Sequence, residues 1–563
     1  MKTLYIYTPE PSASPEEAYD RSLILACLQG LVNRQEPCLY VIPREDPCAR
    51  HSRIRVPSAR FWLDVMQSGG RWLSEYERVT LDSLDEVFHL ARQLVKGIVV
   101  WDPMVPATVN LATTFAGLED SLVMSPEQAQ VYSDKWQLPI KEDFRGRFDG
   151  SVTGSAKNDA YRYAIGEYLP RCSVKYLYLY EDAWQSRSAG SVRYTITRDW
   201  SVMNRGFVYD LSPWGDEPPA DDEGQRLGTD LETYRMMLQA LDERRGPGEF
   251  TEVCGFFCFN KYSRHGGHRS SHEPVPTEWE TVYVISPYNC YQNTVASDCY
   301  NQSVHSHFVP RKVRQGRPKL IEPDPTKTYV SVFMADYDSA TPLYDFLPEY
   351  WSDPERGSAP FTWGINPSLA DTYPDIMDYI YETRTDADVI AADASCAGYF
   401  NPNRIPAERL PAFAAHNKKY YDRYDMSLSP MVLDWDQPTG PVKDAFRTFS
   451  PDGFATIVMD MHMEGGAAPA DHNWKQMPVT TLENDLCNFA STEKNAGVLA
   501  GLLRGPRDGK PGHLIFRIVW TSPSEVIKIL ERTRELRPDL DIEVVDGYNF
   551  FNICKNIFDE KGE

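Results

Sequence analysis

The chain has 563 residues with a formal net charge of −23, and 42% of its residues are hydrophobic. A single hydrophobic core stops growing at roughly 250–300 residues, so this length predicts two or three domains. The acidic balance argues against nucleic acid and anionic membrane surfaces as partners, because both require clustered lysine and arginine. No apolar run approaches the length that a membrane-spanning helix needs.

The eleven cysteines are scattered and form no C-x-x-C pair. Most of them fall inside apolar segments, which predicts buried free thiols and a reducing compartment. The first residues, Thr3-Leu-Tyr-Ile-Tyr, have the pattern of a strand and not that of a signal peptide. We therefore expect a cytoplasmic protein, or a secreted or periplasmic one if a leader has been removed.

The first 155 residues have the pattern of an N-terminal α/β domain. Ser14 is followed by Pro15 and two glutamates, which predicts a capped helix that continues to Val32. None of the apolar runs is followed by a G-x-G-x-x-G or Walker sequence, so a nucleotide-binding role lacks its phosphate-binding glycines. Strands are predicted at residues 4–8, 38–42, 97–101 and 120–124.

A middle α/β region, residues 156–315, is expected to contribute loops to the functional site. Gly215 to Asp230 is dense in aspartate, glutamate, proline and glycine and has no helical or strand periodicity. Long loops that remain ordered are often functional. Aromatic rings beside carboxylates suit a sugar, which needs a flat apolar face and acceptors for its hydroxyl groups. An acidic solvated surface loop is the alternative.

The same region carries three histidines close together, His265, His268 and His272. Their spacing matches no zinc motif such as H-E-x-x-H, so we expect hydrogen-bonding or exposed histidines, with a metal role as the alternative. Glu278 lies beside Trp279 just after Pro276, and it is the better candidate for catalysis.

Residues 316–563 repeat one arrangement, an apolar strand that ends in polar or acidic residues and is followed by a helical stretch. Eight such units in about 240 residues predict a (β/α)8 barrel of the TIM type, whose active site lies where the strand C-termini converge. A seven-stranded or incomplete barrel fits the same pattern. The predicted strands are residues 329–335, 361–365, 388–392, 429–433, 455–459, 478–482, 514–520 and 541–545.

The loop from Asp393 to Pro402 follows one of these strands and carries Asp393, Ser395, Tyr399 and Asn401. Gly398 and Pro402 break regular structure there. Rigid strands that lead into variable loops are where α/β folds usually place ligand sites.

The segment Cys396-Ala-Gly398-Tyr399-Phe-Asn401-Pro402 resembles the signature of the GxGYxYP family, a group of bacterial proteins described as glycoside hydrolases. Gly398, Tyr399 and Pro402 match, whereas Cys396 and Asn401 replace the first glycine and the second tyrosine. The resemblance covers most of the chain and implies a carbohydrate substrate. It extends to Asp336-Tyr-Asp338, Trp363-Gly-Ile-Asn366-Pro367, His265-Gly-Gly and Thr277-Glu278-Trp279.

Glycosidic hydrolysis needs two carboxyl groups, one held protonated and one ionised. Strand alternation points both acids of an Asp-x-Asp pair to the same side. We therefore expect Asp336, Asp338, Asp434 and Glu278 to be catalytic. The candidate substrate-binding residues are Asp393, Tyr399, Asn401, Trp435, Asp436, Asp460, His462, Glu483, His265 and Trp363.

Two other functions fit the same residues. Convergent acids near His462 or His472 could bind a divalent cation, as in a metal-dependent carbohydrate deacetylase. A non-catalytic carbohydrate-binding protein is the other alternative. No cofactor is firmly predicted, no G-x-S-x-G elbow is present for serine-esterase chemistry, and the sequence does not define an oligomeric state.

Overall fold

The structure is a computed structural model that describes residues 2–44, 57–262, 272–294, 299–458, 471–487 and 489–561. These residues form two compact units, one before and one after the Val309–Pro310 bond. Within the described ranges, no helix is long and apolar enough to cross a membrane. The predicted boundary near residue 155 stays a prediction.

The first unit contains three sheets whose strands all run parallel. Their orders are β2-β1-β3, β5-β4-β6 and β10-β9-β7-β8. The predicted β-α-β unit at the start of the chain is present, because β1 and β2 pair in parallel across the first helix. The strands are β1 Lys2–Tyr7, β2 Leu39–Val41, β3 Tyr76–Leu81, β4 Gly97–Val100, β5 Ser121–Met124, β6 Ile140–Asp143, β7 Tyr176–Leu179, β8 Phe207–Tyr209, β9 Thr251–Gly255 and β10 Cys290–Asn293.

Helices connect these strands, as parallel pairing requires. The first helix begins where the sequence predicts, because the Ser14 hydroxyl accepts the N–H of Glu17 at 3.2 Å and Pro15 occupies the first turn. The helices are α1 Pro15–Val32, α2 Ser58–Gln67, α3 Leu84–Ala91, α4 Thr108–Glu119, α5 Pro126–Trp136, α6 Ala156–Glu167, α7 Ala183–Ala189, α8 Arg193–Ile196, α9 Asp199–Asn204, α10 Thr229–Arg244, α11 Pro274–Ile285 and α12 Gln302–His305.

The second unit is built around one long strand, Thr328–Tyr337, in which every residue except Asp336 is buried. Near-continuous apolar sequence of this kind is typical of a parallel strand covered on both faces. The strands are β11 Thr328–Tyr337, β12 Phe361–Ile365, β13 Asp388–Ala391, β14 Leu428–Asp434, β15 Gly453–Val458, β16 His472–Trp474, β17 Met477–Thr481, β18 Glu483–Cys487, β19 Gly512–Val519 and β20 Ile542–Val545. The helices are α13 Leu347–Trp351, α14 Pro374–Thr383, α15 Leu410–Tyr424, α16 Gly440–Arg447, α17 Thr492–Leu502, α18 Pro523–Leu536 and α19 Gly547–Ile557.

All eight predicted strands of this unit are present, but they form two sheets, and no closed barrel is found among the described residues. One sheet has the order β13-β12-β11-β19-β18, with β20 also paired to β11, and the other has the order β14-β15-β17-β16. Two further strands, β16 and β18, were not predicted. Only Leu482 separates β17 from β18, so the chain passes there from one sheet into the other.

The pairing of β11 gives a physical reason for the departure from a regular barrel. β19 pairs with β11 from Thr328 to Ala335 and therefore occupies one full edge of the strand. The other edge is shared, because β20 pairs with residues 328–331 and β12 with residues 333–337. Hydrophobic periodicity identifies each strand but does not encode which edge it takes.

Candidate active site

The C-terminal end of β11 carries an ion pair with its neighbour β19. Arg517 lies opposite Phe333 in the register of the two strands. Its Nη2 donates to Oδ1 of Asp336 at 2.5 Å, and both side chains are less than one-fifth exposed. The pairing places the Asp336 carboxylate beside a cation and fixes its orientation at the C-terminal end of β11.

Asp338 follows Asp336 by two residues and has a different environment. The residue is partly exposed, and its carboxyl group accepts the Ser339 hydroxyl at 3.1 Å. Burial and the negative charge of Asp336 raise the pKa of Asp338 to about 7, although Arg517 opposes this shift. Near neutral pH, Asp338 can therefore hold a proton and release it.

Asp393 is the third acid of this cluster and follows β13. It is fully buried, and its two oxygens accept the backbone N–H groups of Ala394 at 3.0 Å and Tyr337 at 3.3 Å. Burial, followed by the charges of Asp338 and Asp336, raises the pKa of Asp393 well above its usual value. Asp393 thus belongs to one electrostatic cluster with Asp336 and Asp338, and it is the most deeply buried of the three.

Gly364 in β12 makes room for the Asp393 carboxyl group. A Cβ atom at this position would lie 2.6 Å from Oδ2 of Asp393 and 2.4 Å from the ring of Phe333. Such distances are too short for any side chain, so the packing requires glycine here.

The family-like loop after Asp393 is held by Asn366, the residue that follows β12. Its Nδ2 donates to the carbonyl groups of Asp393 at 3.0 Å and Ala394 at 2.9 Å, and its Oδ1 accepts the N–H of Gly398 at 2.9 Å. Gly398 has φ of 105°, a conformation that favours glycine. Tyr399 and Asn401 of the same loop are buried, with 2% and 3% of their surface exposed.

Asp434 ends β14 and belongs to a separate group of contacts. Its oxygens accept the N–H groups of Asn403 at 2.9 Å and Asp436 at 3.1 Å. Burial raises the pKa of Asp434 to about 7. Asp436 is partly exposed. The structure thus joins Asp434 to the loop that follows Asn401, and it groups Asp336 and Asp338 with Asp393.

The two tryptophans predicted to bind sugar are core residues. Trp363 and Trp435 are fully buried, and the Trp363 indole donates to Asp388 at 2.9 Å. Trp520, which the sequence did not single out, is partly exposed instead. Its Nε1 donates to the carbonyl oxygen of Asp336 at 3.1 Å, which places an accessible ring beside the acidic cluster.

The remaining candidates are distributed more widely. Glu278 lies in α11 of the first unit, where it accepts the Thr294 hydroxyl at 2.8 Å. Glu483 begins β18 and is partly exposed. His265, Asp460 and His462 lie outside the described residues.

Two observations concern metal binding. His272 contacts Asp216, with 2.9 Å between Nε2 and Oδ1, and stacks on the ring of Tyr262. In the part of the chain that the structure describes, no group of three or more His, Cys, Asp or Glu side chains is arranged to hold a metal ion.

The fold and the site together define an α/β protein with clustered carboxyl groups at the C-terminal ends of parallel strands. The chain matches two family models. One is described as "GxGYxYP putative glycoside hydrolase C-terminal domain" and covers residues 326–555, and the other, "GxGYxYP_N second domain", covers residues 95–172. Together they cover more than half of the chain, and the protein belongs to the GxGYxYP family, which confirms the predicted resemblance.

A solved structure shares the fold. It is described as a putative hydrolase from Bacteroides thetaiotaomicron VPI-5482, and it superimposes with a TM-score of 0.68 at 14% sequence identity. The similarity covers 99% of this chain and 95% of the other. No curated protein matches the sequence.

Proposed function

We propose that this protein is a glycoside hydrolase in which Asp338 is the general acid and Asp336 is the ionised carboxylate. The observation that carries the proposal is the contrast between two neighbouring acids. Asp336 is paired with Arg517, whereas the pKa of Asp338 is raised to about 7 by burial and by the charge of Asp336. Neighbouring titratable groups in such different environments are typical of acid and base assignments in glycosidases. The family description supports the same reaction.

Each carboxyl group has a defined role in this proposal. Asp338 donates its proton to the glycosidic oxygen as the bond to the anomeric carbon breaks. Asp336, held by Arg517, stabilises the positive charge that develops on the sugar ring. Water adds to the anomeric carbon and gives its proton to the Asp338 carboxylate, which restores the acid. Asp393 remains protonated beneath them and prevents three adjacent negative charges from accumulating.

We also propose that the two sheets of the second unit are an opened barrel of the (β/α) type. The support is the position of the acidic cluster at the C-terminal ends of β11 and β13, which is where such barrels place their active sites. Hydrogen bonds bridge the two sheets, since the Ser395 hydroxyl accepts the N–H of Leu433 in β14 at 3.0 Å.

The experiment is a release assay on a broad panel of aryl glycosides and natural glycans, with and without EDTA. For a substrate that the protein cleaves, Asp338→Asn and Asp336→Asn are compared with the parent. Loss of a general acid costs about 10²–10⁴ in rate, so both variants should fall by this order. Asp422→Asn is the matched control, because Asp422 is a surface residue of the same unit paired with Lys418.

The leaving group separates the two roles. A dinitrophenolate leaves without protonation, so Asp338→Asn should lose little activity on dinitrophenyl glycosides and much on alkyl glycosides. Asp336→Asn should lose activity on both. Parent-like rates in both variants would overturn the proposal. Sugar release that EDTA abolishes and added metal restores would overturn it too, because the reaction would then need a metal ion. Acetate release from acetylated sugars, without sugar release, would favour the metal-dependent deacetylase.

A further inference from the structure

A cavity of about 360 Å³ opens beside the acidic cluster, at the C-terminal ends of β18 and β19. Its size lies at the lower end of the range for small-molecule sites. Neither the sequence prediction nor the assignment of Asp336 and Asp338 involves it. Its walls include Glu349, Tyr350, Thr492, Asn495, Trp520 and Glu525.

Trp520 connects this cavity to the proposed catalytic carboxylate. Its backbone N–H donates to the carbonyl oxygen of Ala335 at 3.1 Å, and its indole Nε1 donates to that of Asp336 at 3.1 Å. The wall of the cavity is therefore fixed to the backbone that carries Asp336. A group bound against Trp520 would lie next to the bond that the acids are proposed to cleave.

Trp520 gives the cavity an aromatic surface that a ligand can reach, whereas Trp363 and Trp435 are buried in the core. Phe346 packs edge-on against the Trp520 ring at 4.7 Å and supports it. Phe489, with its ring centre 6.3 Å from that of Trp520, is 80% exposed. Exposed aromatic surface beside polar groups marks a binding site, and it matches the apolar face and hydroxyl edge of a sugar ring.

The charged side chains of the cavity are both acidic. Glu349 and Glu525 line it, and no lysine or arginine is among the described residues that do so. Glu525 lies in the first turn of α18, and its Oε1 accepts the Thr492 hydroxyl. Its negative charge therefore already compensates the positive end of the helix dipole, and a bound anion gains little there. Glu525 is also paired with Lys528 at 3.4 Å, but this lysine is 64% exposed and does not line the cavity. A carboxylate on a bound sugar would therefore face two glutamates and be repelled.

We infer that this cavity is the subsite for a neutral or amine-bearing sugar, with Trp520 as its stacking platform, and that it excludes uronic acids. The inference rests on the proposed function, because it assigns the sugar class that the same site takes. Trp520 is a binding residue, and its indole N–H also positions the Asp336 backbone.

The test uses p-nitrophenyl glycosides in matched sets of neutral hexoside, 2-amino-2-deoxyhexoside and uronide, in the gluco and galacto series. The full-length Asp338→Asn protein supplies Kd by calorimetry, and the parent supplies kcat and KM. We expect the neutral and amino sugars to bind at least about tenfold more tightly than the uronide. Equal or tighter binding of the uronide, or no binding of any hexoside, would overturn the inference.

Two substitutions at position 520 separate stacking from positioning. Trp520→Ala should raise KM and Kd about tenfold or more, whereas Trp520→Phe keeps a ring and should change Kd little while lowering kcat. Unchanged Kd and KM in Trp520→Ala would overturn the subsite even if Asp338 proves essential. Loss of binding in Trp520→Ala with no turnover in the parent would leave the subsite standing and refute the hydrolase.

Glu525→Gln tests the charge argument directly. Removing one carboxylate should raise kcat/KM or lower Kd for the uronide about tenfold relative to the neutral sugar. Glu531→Gln is the control, because Glu531 is an exposed residue of the same helix. If Glu525→Gln leaves the ratio of kcat/KM or of Kd between the uronide and the neutral sugar unchanged, the charge-based selectivity is contradicted.

Discussion

Arg517 and Asp336 form an ion pair between two neighbouring parallel strands, with 2.5 Å between Nη2 and Oδ1. The pair sets the electrostatics of the acidic cluster, because Arg517 also lowers the pKa of both Asp338 and Asp393 against the effects of burial. One cation therefore acts on three carboxyl groups.

Replacing Arg517 by glutamine should reduce kcat/KM by about 10² or more, because Asp336 loses the cation that pairs with its carboxyl group and orients it. Without this cation the pKa of Asp338 rises, so the alkaline limb of the remaining activity should move to higher pH. The measurement is the pH profile of kcat/KM. Arg532→Gln, at a surface ion pair with Glu493, is the control. If the alkaline limb of kcat/KM lies at the same pH in Arg517→Gln and in the parent, the electrostatic role of Arg517 is contradicted.

The parent enzyme should lose kcat/KM as pH rises through about 7, because the pKa of Asp338 lies there and the acid must be protonated to act. At lower pH Asp338 keeps its proton. A fall of kcat/KM on the acidic side of the pH profile must therefore come from the titration of another group. In Asp338→Asn the alkaline limb should disappear together with most of the activity on alkyl glycosides. An alkaline limb that persists in this variant would assign the general acid to another residue.

The sequence predicted the acids of the cluster but not their partner. Asp336 and Asp338 follow an apolar run, and Asp393 follows another, so strand ends could be recognised by composition alone. Arg517 lies inside the apolar run from Leu514 to Trp520 and was interpreted as part of a strand. A cation within a buried strand is itself a signal, since an unpaired buried charge is costly.

Composition and periodicity did not predict which strands pair or which aromatic rings are exposed. The shared edge of β11 and the passage from β17 to β18 depend on long-range contacts that periodicity does not contain. Trp435 stands between two strand-end acids in the sequence and Trp363 lies in a strand followed by a polar residue, yet both rings are buried, whereas Trp520 is partly exposed. Which face of a strand end meets solvent is decided by the helices that cover it.

Gly364→Ala should destabilise the second unit and reduce activity. The added Cβ would overlap the ring of Phe333 and the carboxyl group of Asp393, and overpacking of this kind costs about 1–3 kcal/mol. The measurement is the free energy of unfolding by denaturant, together with kcat/KM. Gly497→Ala in α17 is the control, because a Cβ there meets nothing within 4 Å, so this change should be neutral or stabilising. Equal effects of the two substitutions would contradict the packing argument.

Lys261→Met tests a buried charge cluster in the first unit. Lys261 Nζ lies 2.7 Å from Asp210, 2.8 Å from Asp221 and 3.3 Å from Asp182, and all four side chains are at most 3% exposed. Removing the lysine leaves the buried Asp182 and Asp210 without their cation, whereas Asp221 keeps Lys157 at 2.8 Å, so the variant should lose about 3–5 kcal/mol of stability near pH 8. The matched control is Lys96→Met, at a lysine 60% exposed and paired with Asp120, which should lose at most about 1 kcal/mol.

The stability that Lys261→Met loses should be larger at high pH than at low pH. Burial raises the pKa of Asp182 to about 6, so in the parent its contribution to stability is present below the usual carboxyl pKa and is lost as pH rises through about 6. Without Lys261 the carboxyl groups hold their protons more tightly, so the variant should recover part of its lost stability as pH falls from about 8 to about 5. Denaturant unfolding at both pH values measures this recovery. A loss of stability that is the same at both would show that packing, rather than charge, is what Lys261 contributes.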